Sequence, residues 1–247
     1  MSPERGYRTV LWDLDGTLVG LRRLPFKVAM PAVAAYVFRD LVAPHRFLRV
    51  LSGVVGQARA NDGELTNTAL MVRLLAERTG LTEPEAAQRF RVLADEGFPR
   101  LRFCFPPLPA ARDTVTRLAE TGVTQVVATN PMWPDSTVLA RLRWGGYDPA
   151  VFAMRTSGEN MTRSKPRTEF YTGLLDRLGA TARDCVMVGN DPVNDAPAAL
   201  IGIPVFLVGV DPKDIPTDCA RTGLVETGPW PALHRWLGIE EEPCLSS

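Results

Sequence analysis

Hydrophobic and polar positions fall into two patterns along this chain. Five short runs are almost continuously apolar: Thr9–Asp13, Thr124–Thr129, Val151–Thr156, Cys185–Gly189 and Ile203–Val208. A strand with one wet face alternates, whereas a strand covered on both faces reads as an unbroken apolar run. These runs therefore predict a parallel sheet buried between two layers. Helical patterns separate the later ones. "ARDTVTRLAETG" places Val115, Leu118 and Ala119 on one face and stops at Gly122. "TEFYTGLLDRLGA" does the same with Phe170, Leu174, Leu175 and Leu178, stopping at Gly179. The β-α-β-α-β order predicts an α/β fold built on a doubly wound, Rossmann-like parallel sheet.

The rhythm breaks between Gly20 and Pro107. Only helical patterns occur there, such as "NTALMVRLLAERTG" and "EPEAAQRFRVLADEG". The expectation is a smaller α-helical domain at residues 21–106, inserted between two pieces (1–20 and 107–247) of one α/β core. The proline-rich "FPPLP" (Phe105 to Pro109) is then the returning linker. The polar stretch "NDGELTN" (Asn61 to Asn67) reads either as a substrate-reading loop or as a helix start capped by Asp62 or Asn61. The tail "EEEPCLSS" is expected to fray.

Charge narrows the function classes. Lys+Arg and Asp+Glu are both 28, so no overall excess points to nucleic acid or a membrane surface. The balance is uneven, however. Leu21 to Pro107 carries 13 basic against 8 acidic residues, and the remainder carries 15 against 20. A basic insert facing an acidic core suits an anionic small molecule, with Arg22, Arg23 and Lys27 the residues nearest the first strand. No apolar run reaches membrane-spanning length, and "MSPERGYRTV" lacks an apolar signal core. The cysteines (Cys104, Cys185, Cys219, Cys244) form no CxxC and no cluster with histidine. That argues against a zinc site or disulfide framework and for a reduced, cytoplasmic protein.

Ligands of a doubly wound sheet bind beyond the carboxyl ends of its strands. The first strand ends in "DLDGT", where Asp13 and Asp15, two apart, point to the same side. Two like charges so placed call for a cation, and a metal ion is the natural one. The second strand ends in "ATNP", with Thr129 and Asn130. The loop after the third holds "SKP", with Lys165. The fourth ends in "GNDPVND", with Asn190, Asp191 and Asp195. Alone, "DGT" is a common turn and Lys165 an ordinary loop lysine; four such features on successive elements converge on one site. Trp133 and Trp144 are expected to pack the core, Trp133 lying near enough to Thr129 to line the site. His45 and His234 belong to no motif.

The ordered set "DLDGT", "ATN", "SKP" and "GNDPVND" resembles the haloacid dehalogenase superfamily of phosphohydrolases, across nearly all of the chain outside the helical insert. The resemblance implies that the insert is a mobile cap. It implies that Asp13 is a nucleophile forming an aspartyl-phosphate and that Asp15 is the general acid and base. Mg²⁺ would be held by Asp13, the backbone carbonyl of Asp15, and Asp191. Thr129 and Asn130 would bind the phosphoryl oxygens, and Lys165 would neutralise charge on nucleophile and substrate. Asn190 and Asp195 would support these groups from behind. The chain departs from the family where it reads Gly189-Asn190-Asp191 in place of a Gly-Asp pair. Either Asp191 is the first acid, with Asp195 three residues beyond it, or a shifted register puts Asn190 in the ligand place. The implied activity is Mg²⁺-dependent hydrolysis of a small phosphorylated metabolite. A phosphotransferase or mutase of the same family, or a non-catalytic phosphate-ester-binding module, are the alternatives. Dehalogenation is not expected, because Asp15 supplies the acid/base that phosphoryl transfer needs; the same holds for carbon–phosphorus cleavage, although Lys27 is a lone insert lysine suited to a Schiff base. The sequence carries no sign of oligomeric state.

Overall fold

The computed structural model describes residues 6–239; the tail from 240 onward, with Cys244, lies outside the described residues. Six parallel strands form one sheet: β1 (Thr9–Trp12), β2 (Thr124–Val127), β3 (Met154–Arg155), β4 (Cys185–Gly189), β5 (Val205–Val208) and β6 (Val225–Gly228). Their spatial order is β3-β2-β1-β4-β5-β6. β1 lies between β2 and β4, with Trp12 opposite Val127 on one side and Val188 on the other. The order reverses at β1, so the carboxyl ends of β1, β2 and β4 open side by side onto one crevice.

Parity along the strands explains the unbroken apolar runs. Val10, Trp12, Val127, Val186, Val188 and Phe206 belong to one buried cluster. Leu11, Val126, Cys185, Met187, Val205 and Leu207, the alternate positions, belong to a second. The first face is covered by α5 (Pro109–Glu120) and a C-terminal helix, Trp230–Leu237. The second is covered by a helix at Thr168–Leu178, a 3-10 segment at Ala196–Ile201 and a short helix at Thr217–Ala220. One buried polar pair crosses the first face: the Trp12 indole N–H donates to Gln125 Oε1 (3.1 Å), whose amide donates to the Val115 carbonyl (3.0 Å).

Two expected strands shift and one strand is additional. Val151 closes a 3-10 turn, so only Met154–Arg155 remains to pair with β2. β5 begins at Val205, because the Ile203 N–H is taken by the Ala198 carbonyl and Pro204 has no N–H to give. β6, "VETG", was not anticipated; it is a half-buried edge strand with no apolar run.

The segment between β1 and α5 is helical among its described elements: α1 (Arg23–Val37), α2 (Pro44–Arg59), α3 (Asn67–Thr79) and α4 (Glu83–Val92), then a π turn and a 3-10 segment ending at Cys104. Thr82 and Glu85 form a reciprocal capping box at the start of α4. α3 starts at Thr66, whose hydroxyl accepts from the Ala69 N–H, so neither Asp62 nor Asn61 is its cap. The outgoing and returning chains are tied by Gly20 N–H to Pro106 O (2.8 Å) and Arg22 N–H to Cys104 O (2.8 Å). Phe38, Phe47, Phe90 and Phe98 of the insert continue the same apolar cluster that begins at Val10 and Trp12. No helix among the described residues is long and apolar enough to cross a membrane.

Gly16 makes the turn out of β1 possible. Its φ is +102°, and a Cβ there would lie 2.2 Å from the Asn190 side-chain nitrogen. Gly16→Ala should therefore cost about 1–3 kcal/mol of stability, combining backbone strain with the collision. A shifted denaturant midpoint would register it; an unchanged midpoint would contradict this close crossing of the two loops.

Candidate active site

The site grows from the ends of the three central strands. Asp13 leaves β1 with its N–H still bonded to the Val188 carbonyl (2.9 Å). Lys165 comes from the loop between β3 and α7, α7 being the helix Thr168–Leu178. Its ammonium donates to Asp13 Oδ1 (3.0 Å) and to Asp195 Oδ1 (2.6 Å). The side chains of Lys165 and Asp195 are both 0% exposed, so this pair has no water to lean on. The other oxygen of Asp195 accepts the N–H groups of Asn190 (3.1 Å) and Asp191 (3.0 Å). Gly189 lets this happen: a Cβ there would sit 2.1 Å from Asp195 Oδ2.

Burial works against the Lys165 charge, but the facing carboxylates of Asp13 and Asp195 outweigh it and hold the ammonium above the ordinary lysine pKa. Lys165 is thus charged throughout the neutral range. Burial pushes the Asp195 carboxyl upward, with Lys165 opposing.

Asp15 meets a group that sequence reasoning missed. Arg141 lies on α6 (Asp135–Gly145), is 2% exposed, and donates from Nη1 to Asp15 Oδ2 at 2.5 Å. Its Nε donates to the Thr137 carbonyl (3.1 Å), and its guanidinium carbon stands 5.5 Å from the Phe98 ring centroid. Arg141 Nη2 and Asp15 Oδ1 are both buried without a hydrogen-bond partner. Burial raises the Asp15 pKa above the usual carboxylate value; Arg141 opposes this and Asp13 reinforces it. The available signal was a charged residue at helical spacing from Val138 and Leu142, on the buried side of the helix.

Asp13, Asp15, Thr129, Asn130, Lys165 and Asp191 all line one cleft of about 260 Å³. Asn130 Oδ1 is buried there without a partner. The Thr129 carbonyl is fixed by the Thr156 hydroxyl (2.7 Å). Asp191 is oriented by its own turn, accepting from the N–H groups of Val193 (3.0 Å) and Asn194 (3.1 Å) and from the Asn194 amide (2.8 Å). Asn190 turns away from the cleft, accepting from the Thr17 hydroxyl (3.1 Å). The insert contributes Arg23, Lys27 and Arg59 to the cleft wall. Arg22 instead serves the chain crossing through its N–H. Arg59 was not anticipated, since nothing in sequence separates it from a solvated helix-end arginine.

The NDGELTN stretch docks onto the core. Arg163 and Arg167 both donate to the Asn61 carbonyl (3.0 and 3.1 Å), and Asn67 donates to the Pro131 carbonyl (3.1 Å). Trp133 and Trp144 pack with Phe98 at centroid distances of 5.3 and 5.9 Å, joining insert to core. His234 faces the Thr114 hydroxyl at 2.8 Å.

Among the described residues no three His, Cys, Asp or Glu side chains converge on one point. Three carboxylates line the cleft; Asp15 is taken up by Arg141, which leaves Asp13 and Asp191 as the oxygen donors for a cation. A hard cation that keeps several waters, as Mg²⁺ does, fits such a sparse all-oxygen set; a soft or fully caged metal does not.

Similarity to known proteins agrees with this geometry. The profile of haloacid dehalogenase-like hydrolases matches residues 7–200. A phosphoglycolate phosphatase from Rhodospirillum rubrum is 29% identical over 248 aligned positions, covering 95% of this chain and 92% of that protein. A 2-haloacid dehalogenase from Pseudomonas syringae pv. Tomato DC3000 superposes with a TM-score of 0.62 at 22% identity, over 94% of this chain and 98% of that one. An HAD phosphatase from Thermococcus onnurineus gives 0.58 at 19% identity, over 95% and 100%. At such identities the two structures speak for the fold alone. The profile spans all four strand-end motifs and more than half of the sequence: this chain belongs to the haloacid dehalogenase-like hydrolase family.

Proposed function

We propose that this hydrolase is a Mg²⁺-dependent phosphatase that cleaves a small phosphorylated metabolite through an aspartyl-phosphate on Asp13. The observation that carries the reading is the division of labour between two neighbouring aspartates. Asp13 faces a buried ammonium, whereas burial favours the protonated form of Asp15. Two neighbouring carboxyls in such unlike surroundings are suited to separate nucleophile and acid/base roles. The likeness to a phosphoglycolate phosphatase supports the phosphatase branch of the family.

In this reading an Asp13 oxygen attacks phosphorus while Asp15 gives its proton to the departing alkoxide. Asp15 then takes a proton from the water that cleaves the acyl phosphate. Arg141 holds the Asp15 carboxylate between these steps. Lys165 offsets charge as the phosphoryl oxygens approach Asp13, and Thr129 and Asn130 bind those oxygens from the end of β2. Asp13, Asp191 and the Asp15 carbonyl would hold Mg²⁺, which when bound supplies further neutralisation of phosphoryl charge. The orientation of Asn190 toward Thr17 favours Asp191 as the ligand in the fourth motif. Residues 21–106 act as the cap over a core of residues 1–20 and 107–247, bringing Arg23, Lys27 and Arg59 to an anionic substrate. The unpaired, buried thiols of Cys104, Cys185 and Cys219 suit the reducing cytoplasm.

Two outcomes are expected. Phosphate release from phosphorylated metabolites should require Mg²⁺, stop with EDTA, and fall by more than about a thousandfold in an Asp13→Asn variant that still folds, Lys165 keeping its bond to Asp195. Retained turnover in that variant would contradict the covalent route. Lys165→Met should cost about 3–5 kcal/mol at pH 7, because it leaves buried carboxylates uncompensated. An acid whose folded pKa is raised binds protons more tightly when folded, so the penalty should shrink as pH falls toward ~5. Denaturant melts at several pH values would read this; a penalty independent of pH would contradict the buried-charge account.

A further inference from the structure

We propose that the substrate is a phosphate monoester of a predominantly apolar alcohol, whose body occupies a chamber between the insert helices and α6. The proposal rests on the phosphatase reading above and names the leaving group that reading left open.

The chamber is about 610 Å³, a volume typical of sites that enclose a drug-sized ligand. At liquid density it has room for roughly twenty water-sized groups. Its walls are mainly apolar, with Phe47, Met71, Leu75, Phe90, Leu93 and Trp133 among them. The chamber is partly open to solvent, and Leu48 on its wall is 41% exposed, so its apolar lining is surface left for a ligand to cover. It is also continuous with the phosphate cleft: Asp15, Phe26, Lys27, Arg59 and Asn130 border both.

The junction is polar in a specific way. Asp15 Oδ1, Asn130 Oδ1 and Arg141 Nη2 are buried there, and each lacks a hydrogen-bond partner. Buried polar atoms are normally paired, so these three mark where a ligand's polar atoms belong. In the proposed complex Asp15 Oδ1 would face the ester oxygen that must receive a proton. Asn130 Oδ1 takes a hydroxyl or amide donor, and Arg141 Nη2 takes a carbonyl or hydroxyl oxygen. Beyond this neck the walls are mostly hydrocarbon and aromatic surface, with Ser52 among them and Lys27 and Arg59 on the side shared with the cleft. A two-carbon ester with two anionic groups, such as 2-phosphoglycolate, would fill the cleft and neck and leave that surface unused. The charge and the apolar surface are thus divided along one line, from a phosphate at Lys165 to an apolar body against Trp133.

The test compares ethyl, butyl, hexyl and octyl phosphate with 2-phosphoglycolate, in wild type and in Val55→Trp, which fills the chamber from α2. Phosphate release is measured alongside binding by tryptophan fluorescence, since Trp133 forms part of the wall. Each methylene that enters the chamber should raise affinity by up to roughly fourfold, seen as a falling KM and a falling dissociation constant. Val55→Trp should cut the octyl-to-ethyl ratio of kcat/KM at least tenfold. Turnover with no gain along the series, or a preference for 2-phosphoglycolate, would overturn the apolar leaving group and leave the phosphatase reading intact. Chain-length-dependent binding without phosphate release would uphold the chamber as a binding site and overturn the phosphatase reading. Neither binding nor release across the series would overturn both.

Discussion

An ammonium ion sealed between two carboxylates holds this site together. Taking Lys165, Asp13 and Asp195 out of water carries a desolvation cost of several kcal/mol per ion, recovered only where the geometry is good and remaining hydrogen-bonding atoms are satisfied. Here Lys165 reaches both acids, at 3.0 and 2.6 Å, and Asp195 spends its second oxygen on two backbone N–H groups. The three residues come from the loops after β1, β3 and β4, so one cation staples three strand ends. The orientation of Asp13 and the presentation of Asp191 both descend from it.

Sheet order makes that staple possible. Because β1 runs between β2 and β4, residues far apart in sequence emerge within a side chain's reach of one another. Glycine at positions 16 and 189 then removes the Cβ atoms that would hold the loops apart. The other end of the site has a different physics. The insert shares its apolar cluster with one face of the sheet, and between its helices and α6 lies a chamber that the core motifs only border, through Asp15 and Asn130. Arg141 stands at the boundary, one nitrogen on Asp15 and the other at the chamber's neck.

The parts legible in the sequence were those set by local rules. Four near-continuous apolar runs ended in strands close to their anticipated positions because burial on both faces removes polar alternation. The strand-end motifs were legible because each places reactive side chains where a strand must stop. β6 was not, since an edge strand needs no apolar run. α1 is not legible as a helix, because Pro31 lies inside it and disguises its pattern. Arg59 and Arg141 escaped for a different reason. Their roles depend on which helix faces which loop, and that is a property of packing at long range. The chamber is of the same kind: Phe47, Met71 and Phe90 read as ordinary helix core until they are seen to share one open wall.

The account stands most directly on the covalent role of Asp13. The sharpest measurement is mass spectrometry of the Asp15→Asn variant, quenched in acid during turnover of a phosphate ester and then digested. The Asn side chain keeps an oxygen for Arg141 but cannot pass protons, so breakdown of the phosphoenzyme should be slowed. The account predicts one added phosphoryl group, confined to the peptide that contains Asp13. A phosphoryl group on any other residue, or phosphate release with no labelled peptide at any quench time, would contradict it.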